Sequence, residues 1–373
     1  MKTNPFLVSG YISPEYFCDR ENESAKVISA LTNDRNLTLI SPRRMGKTGL
    51  IQHCFHLIQS DDKEIYCFYL DIFSTQNLRD FVDLFAKTII GKLDHFSESG
   101  IKRLFSVIKS CRPSISFDPI NGTSVISLDI IPHQEENSLQ EIFSYLKESG
   151  KRCYIAIDEF QQIVDYPEQG VEALLRSYLQ FTPNVKFIFS GSKKHLMNEM
   201  FSSENRPFYQ STQKIGLREI SQNSYFTFAE NHFEKAGKAL PIEVFEFLYN
   251  KLFGHTWYIQ YVLNQLYSID QSIYTISDVI SLINSILEEK NATYKTYCEM
   301  ITKGQLKVLI AIAKEKKVKS PYDHQFLKKH NLTAVSSVKL ALQSLSDKTL
   351  ILKDEEDYFT VYDRFFSLWL EKS

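Results

Sequence analysis

The sequence predicts an α/β layer sandwich on a parallel sheet, followed by a helical segment and a C-terminal winged helix. Three observations predict it. A short β-favouring run, Leu37 to Ile40, leads into a tight loop and then a helical pattern. Two continuous apolar runs, Cys153–Ile157 and Val185–Phe189, are separated by a helical stretch near Val171–Leu179, as expected of strands buried on both faces of a parallel sheet. From about Ser221 the strand signals stop and helical spacing takes over. Strands alternating with helices, then helices alone, argue for a layered core with appended helical parts.

Taken in order, the run LTLI is followed by Ser41-Pro42-Arg43-Arg44-Met45-Gly46-Lys47-Thr48, after which Leu50, Ile51, Phe55, Leu57 and Ile58 recur at helical spacing. A second strand reads Glu64–Leu70 and ends at Asp71; helical periodicity covers Leu78–Leu93. Between Ser114 and Ile131 apolar and polar residues alternate on two arms around Asn121-Gly122, a pair suited to the positive-φ turn of a hairpin. This is an inserted β-hairpin near 112–132. A fifth short strand falls at Lys214–Leu217, closing a core over 1–220.

Helices near Asn223–Ala236, Ile242–Leu252, Trp257–Leu266 and Asp278–Tyr297 form a lid over 221–300, with Gly254 at a helix C-terminus. In 301–373 a helix carrying Leu306, Leu309, Ile310 and Ile312 precedes Ser320-Pro321. A short helix with Phe326 and Leu327 follows, then a helix near Ala334–Ser346. Strands Leu350–Leu352 and Tyr358–Val361 flank the acidic turn Asp354–Asp357. Three helices and a hairpin outline a winged helix.

Hydrophobic residues at 43% and charged residues at 24% exclude collagen-like, low-complexity and disordered classes. Lys+Arg 43 against Asp+Glu 45 leaves a net charge of −2, so no global basic field recruits nucleic acid. Six cysteines without CxxC spacing argue against a zinc ribbon or a disulfide scaffold. No apolar run approaches the ~20 residues of a membrane helix, and the opening residues lack the apolar core of a secretory signal. The expected compartment is the cytoplasm, with no membrane partner. His53, Cys54 and His56 find no remote His/Cys pair to complete a tetrahedral metal set.

The octamer Ser41–Thr48 carries the sharpest chemistry. A phosphate-binding loop needs backbone N–H groups and a helix N-terminus facing the phosphates. Lys47 would neutralise the β- and γ-phosphates, the Thr48 hydroxyl would ligate Mg²⁺, and Gly46 would let the backbone approach closely. The pattern wants glycine at its first position, where this chain has Ser41. The strand Cys153–Ile157 ends in Asp158-Glu159, placing two carboxylates where α/β sheets bind ligands. Asp158 would hold Mg²⁺, and Glu159 would orient and deprotonate the attacking water. At the end of VKFIF, Ser190 in Ser190-Gly191-Ser192 would reach the γ-phosphate or that water.

These motifs resemble the archaeal-type ATPases, a branch of the AAA+/STAND-related P-loop ATPases. The resemblance rests on Phe17-Cys18-Asp19-Arg20-Glu21, Pro42–Thr48, Ile157-Asp158-Glu159-Phe160, Ser190-Gly191-Ser192 and the tail Asp363–Leu370, so it covers most of the chain. It implies an AAA+-like P-loop NTPase αβα sandwich with sheet order 5-1-4-3-2, ATP with Mg²⁺, and a helical lid. Phe17 and Arg20 then become candidates beside the adenine, and Pro42, Arg43, Arg44, Met45 and Gly49 join Gly46, Lys47 and Thr48 around the nucleotide. The lid motif Gly-x-Pro of the relatives corresponds to Gly254-His255-Thr256, with Thr256 in place of proline and His255 within reach of a phosphate. Arg206 is a candidate arginine finger, the group that stabilises charge in phosphoryl transfer, and Arg218 a second; a finger from a neighbouring subunit would make the protein a homo-oligomer.

From Lys303 to Leu350 ten lysines face three acids, a local balance of +7. The would-be recognition helix offers Ser336, Ser337, Lys339, Gln343 and Ser344, with no arginine for bidentate guanine contacts, and the wing turn is acidic. That allows weak, non-specific DNA contact and argues against sequence readout. The expected function is an ATPase whose Mg²⁺-dependent hydrolysis drives a conformational switch felt by an unidentified protein partner. The alternatives are a nucleotide-binding scaffold with little hydrolysis, or an ATP-regulated DNA-binding protein.

Overall fold

The structure is a computed structural model that describes residues 3–90, 92–93, 108–117, 124–332, 334–354 and 356–372, with the backbone alone for 111–117 and 124–130. Ser9–Ser224 form one compact unit; the residues before Ser9 and those after Ser224 form the other.

The first unit contains β1 (Leu37–Ile40), β2 (Tyr66–Asp71), the pair β3 (Cys111–Phe117) and β4 (Ser124–Ile130), then β5 (Cys153–Asp158), β6 (Val185–Gly191) and β7 (Gln213–Gly216). Five of these form one sheet in the order β2-β5-β6-β1-β7, with every neighbouring pair parallel. With the hairpin set aside, that is the 5-1-4-3-2 order. All six residues of β5 are buried. Ile155 and Ile157 pack with Phe85, Phe143 and Phe187 on one face, while Tyr154 and Ala156 pack with Leu50, Ile51 and Ile188 on the other. Burial on both faces explains why the strand reads as an unbroken apolar run.

Strand boundaries differ from the sequence reading, β2 and β6 among them. β2 starts at Tyr66 because Asp62–Ile65 make a turn, with the Glu64 N–H donating to the Asp62 carboxylate at 2.8 Å. β6 continues to Gly191, two residues past the apolar run, since Leu39 and Ile40 of β1 still pair with Ser190 and Gly191. The inserted hairpin is antiparallel, with Ile115 opposite Ile126; its Asn121-Gly122 turn and its side chains lie outside the described residues. Its base is tied to the helix Glu135–Glu148 by Glu141, whose carboxylate accepts from the N–H of Lys109 and from the N–H and hydroxyl of Ser110 at 2.7–3.0 Å.

In the second unit, helices span Gln222–Lys235, Ile242–Lys251, Thr256–Ser268, Ile276–Glu289 and Asn291–Glu299. The single helix expected over Asp278–Tyr297 is therefore two, parted at Lys290. The second piece is turned by the tail: Trp369 Nε1 donates to Asn291 Oδ1 at 3.1 Å, and Tyr294 stacks on Phe366 with ring centroids 4.9 Å apart. A one-residue break keeps the apolar spacing nearly in phase, so periodicity alone does not reveal it. The chain start packs here as well. Phe6 is fully buried among Phe233 and Tyr267, and its carbonyl accepts from Asn264 Nδ2 at 2.7 Å.

The last stretch has helices Lys303–Glu315, His324–Lys329 and Val335–Asp347, antiparallel strands β8 (Ile351–Lys353) and β9 (Phe359–Val361), and a tail helix Arg364–Glu371. Thr302 and Gln305 form a capping box that fixes the start of the first helix. Leu309, Ile312, Val338, Leu342 and Leu345 fill the space beneath. No helix among the described residues is long and apolar enough to cross a membrane.

Candidate active site

The loop between β1 and the helix Lys47–Asp61 lies at the C-terminal end of the sheet, beside the tip of β5. Its two left-handed positions are Arg44 (φ 67°) and Gly46 (φ 91°). Ser41 has no positive φ; it is buried, and its hydroxyl donates to the Pro42 carbonyl at 3.2 Å. The loop thus turns without glycine at its first position, because the strain falls three and five residues later.

Lys47 is 5% exposed, and its ammonium donates to the carbonyls of Ser41 at 2.9 Å and Pro42 at 3.1 Å. Burial pushes its pKa down, while the carboxylates of Asp158 and Glu159 pull it back up. The Thr48 hydroxyl donates to Asp158 Oδ2 at 3.0 Å, and the Tyr69 hydroxyl donates to the same oxygen at 2.6 Å. One carboxylate oxygen therefore gathers a helix-start hydroxyl and a phenol from the neighbouring strand. Burial and the Asp158 charge drive the Tyr69 pKa up, so its proton stays on the phenol. Asp71, opposite Asp158 in the β2–β5 register, is raised by burial and by the Asp158 and Glu159 charges.

Glu159 follows β5 in a left-handed conformation (φ 53°) and is 8% exposed. Its Oε2 accepts from Gln161 Nε2 at 2.5 Å and from the Ser192 hydroxyl at 2.6 Å. Its Oε1 lies 3.8 Å from Arg43 Nε, and the Arg43 guanidinium sits over the Phe73 ring, 4.6 Å from its centroid. Arg43 thus joins the phosphate-loop side of the site to its carboxylate side.

The other candidates fall into place around this centre. Phe17 stacks on His53 at 4.2 Å and lies under Gly49, where a Cβ would meet Phe17 at 3.5 Å. Tyr11 completes that aromatic group, its hydroxyl 3.1 Å from His53 Nδ1. Arg20 is buried and spends its guanidinium on the Met45 carbonyl at 3.2 Å and on Glu23 at 3.1 Å. It braces the loop from behind. Met45 is buried and Arg44 exposed.

Three expectations are met differently. Ser190 is fully buried with no hydrogen-bond partner for its hydroxyl among the described residues, and Ser192 makes the contact to Glu159 instead, because β6 runs on to Gly191 and the tip shifts with it. Arg206 is engaged away from the loop: it pairs with Glu172 and Glu199, each at 3.2 Å, and clamps the helices Val171–Phe181 and Lys194–Ser202. His255 caps the start of Thr256–Ser268 by position and packs edge-on to Tyr258 at 5.0 Å within the second unit.

Sequence reasoning passed over Tyr69 and Gln161. Alternation along β2 carried a signal for the first: Phe68 and Leu70 face one core, so Tyr69 and Asp71 share the other face with Asp158. Gln161 carried none, since a residue three positions past a strand end has no fixed direction.

A five-stranded parallel sheet with a lysine-bearing loop, a hydroxyl opening the next helix and two acids at a strand tip define a P-loop protein of the ATPase type. The chain matches the family described as an ATPase domain predominantly from Archaea over residues 17–262, and it belongs to that family. Residues 292–372 match a probable winged helix domain. Two uncharacterised ATP-binding proteins of Methanocaldococcus jannaschii are similar in sequence. One is 24% identical over 278 residues (67% of this chain, 70% of the relative); the other is 26% identical over 214 residues (55% and 57%). Among solved structures, a Walker-type ATPase of Pyrococcus abyssi shares the fold with a TM-score of 0.67 at 16% identity, over 98% of this chain and 99% of that one. The ORC2 protein of Aeropyrum pernix does so with a TM-score of 0.61 at 13% identity, over 99% and 96%.

Proposed function

We propose that the protein binds ATP with Mg²⁺ at the loop Ser41–Gly49 and hydrolyses it, using the change to switch conformation for a macromolecular partner. The observation that carries this reading is the hydrogen bond from Thr48 to Asp158 at 3.0 Å, beside a buried Lys47 and Glu159. A hydroxyl and a carboxylate this close are hard oxygen donors of the kind Mg²⁺ takes, so the residues fit that ion. Bound there, Mg²⁺ would neutralise charge on the phosphate oxygens. Lys47 leaves its two loop carbonyls for the β- and γ-phosphates. Thr48 and Asp158 hold the ion. Glu159 takes the proton of the attacking water. Phe17 supplies an apolar face beside the loop for the base. The ATP-binding names of the archaeal relatives support the same ligand. Titrating ATP into the protein with and without Mg²⁺ tests this: binding should need Lys47 and tighten with the ion, and Mg²⁺-independent binding unaffected by Lys47→Ala would refute it.

A weak, non-specific DNA contact is a second reading. It is supported by exposed Lys316, Lys319, Lys328 and Lys339 in the winged helix and by the fold shared with the Aeropyrum pernix ORC1 protein, described in complex with DNA (TM-score 0.52, 11% identity, 96% of this chain and 94% of that one). Ion pairs of Lys329 with Glu315 and Lys353 with Asp357 reduce the free positive charge. Affinity should fall steeply with salt.

A further inference from the structure

We propose that Gln161 is a positioning residue for Glu159: together with Ser192 it occupies one carboxylate oxygen and leaves the other as the proton acceptor. The proposal rests on the hydrolytic reading above.

Gln161 lies two residues after Glu159, in the 3₁₀ turn Phe160–Asp165, and is 1% exposed. Its Nε2 and the Ser192 hydroxyl both donate to Oε2, at 2.5 and 2.6 Å. Oε1 has neither donor and faces Arg43 across 3.8 Å. The backbone at Glu159 is left-handed, a conformation that a non-glycine residue holds only where surrounding contacts over-determine it. The two donors supply such contacts, so the carboxylate is locked in rotation as well as in place.

A second feature ties Gln161 to this role. Gly191, the last residue of β6, passes so close to the Gln161 amide that a Cβ there would stand 2.3 Å from Gln161 Oε1 and 2.5 Å from Met197 Sδ. The amide can therefore take its place only because residue 191 has no side chain. Its orientation follows from charge: an amide oxygen turned toward Glu159 would oppose the carboxylate, so the NH₂ faces Glu159 and Oε1 is left against Gly191, buried and without a hydrogen-bond partner. A buried acceptor left unpaired is unfavourable. It persists here because the charge-assisted bond to Glu159 is the stronger of the two interactions.

A general base must present its accepting oxygen within hydrogen-bond reach of the water. With Oε2 doubly occupied, only Oε1 meets that requirement. Loss of Gln161 frees the carboxylate to rotate, which misplaces the base without touching the nucleotide.

The test uses the full chain with Gln161→Leu, Gln161→Glu, Ser192→Ala and Ser192→Thr, measured by steady-state ATP turnover, ATP affinity and nucleotide-free thermal melts. Gln161→Leu and Gln161→Glu should each lower kcat about 10- to 100-fold while KM and ATP affinity change less than twofold; Ser192→Ala should do so more weakly, and Ser192→Thr, which keeps the donor, should restore most of the rate. In melts, Gln161→Leu should lower Tm in the wild-type background and much less in Glu159→Leu, because the bond is already gone. An unchanged kcat in Gln161→Leu, or equal Tm losses in both backgrounds, overturns the positioning role while the ATPase reading stands. Absence of turnover in the wild type under every condition overturns the ATPase reading itself and the role with it.

Discussion

Around β5 charged groups are buried and hydrogen-bonded to neutral side chains and carbonyls; in the winged helix they are exposed and paired across the surface. Lys47, Asp158 and Glu159 are all under a tenth exposed: Lys47 donates to the Ser41 and Pro42 carbonyls, Asp158 accepts from Thr48 and Tyr69, and Glu159 accepts from Gln161 and Ser192. In the winged helix, Lys329–Glu315 and Lys353–Asp357 are pairs between side chains that solvent reaches. Buried polar networks are sensitive to every member, whereas exposed pairs contribute about 0–1 kcal/mol and fade with salt. The difference separates a region suited to chemistry from one suited to adjustable association.

That contrast predicts a ranking of effects. The largest falls on Lys47: Lys47→Ala should weaken ATP at least 10- to 100-fold, the range of a hydrogen-bonded charge lost from a buried site, read by calorimetry. Next comes Asp158→Asn, which should raise the Mg²⁺ concentration needed for half-maximal ATP binding about tenfold, whereas Tyr69→Phe should raise it only two- to threefold. Equal effects from these two would remove the distinction between a residue that holds the ion and one that steadies it.

The core also carries a pH signature of its own. Burial pushes the thiols of Cys54 and Cys153 up to about 12 from an ordinary 9. Their folded-state values are raised, so the stability they contribute is complete below pH 9 and is lost as pH climbs from there toward 12. Each thiol should steepen the loss by about 1.4 kcal/mol per pH unit. Urea midpoints measured from pH 8 to 11 check this, and Cys54→Ala with Cys153→Ala should flatten the slope. The smallest effect is expected from Lys316→Glu, Lys317→Glu and Lys319→Glu: ATP turnover within twofold of wild type, and any DNA binding reduced at low salt. A large change in turnover would dissolve the contrast.

How much of this the sequence disclosed depends on the range of the interactions. The loop Ser41–Thr48 and the pair Asp158-Glu159 were legible because each is local: a strand end and a helix start fix where those side chains go. The apolar runs of β5 and β6 were legible because burial on two faces leaves few polar positions, Lys186 being the one break within them. The burial of Phe6 among Phe233 and Tyr267 was not, because nothing near Phe6 marks a partner more than two hundred residues away. The helix Lys194–Ser202 buries only Met197, Met200 and Phe201, too few to show a period. Ser192 was displaced from notice by Ser190, since the end of an apolar run is not the end of a strand. Arg206 had the position of a finger, yet two acids on neighbouring helices hold it.

Hydrolysis at this site is best tested by ATP turnover of wild type and Glu159→Gln at saturating ATP and Mg²⁺, with ATP affinity measured in parallel over a range of protein concentrations. Glu159→Gln should keep its affinity and lose turnover by about 10²- to 10⁴-fold, the share a general base supplies. Turnover by Glu159→Gln at the wild-type rate, or tight binding by the wild type with no turnover at any concentration, would contradict it.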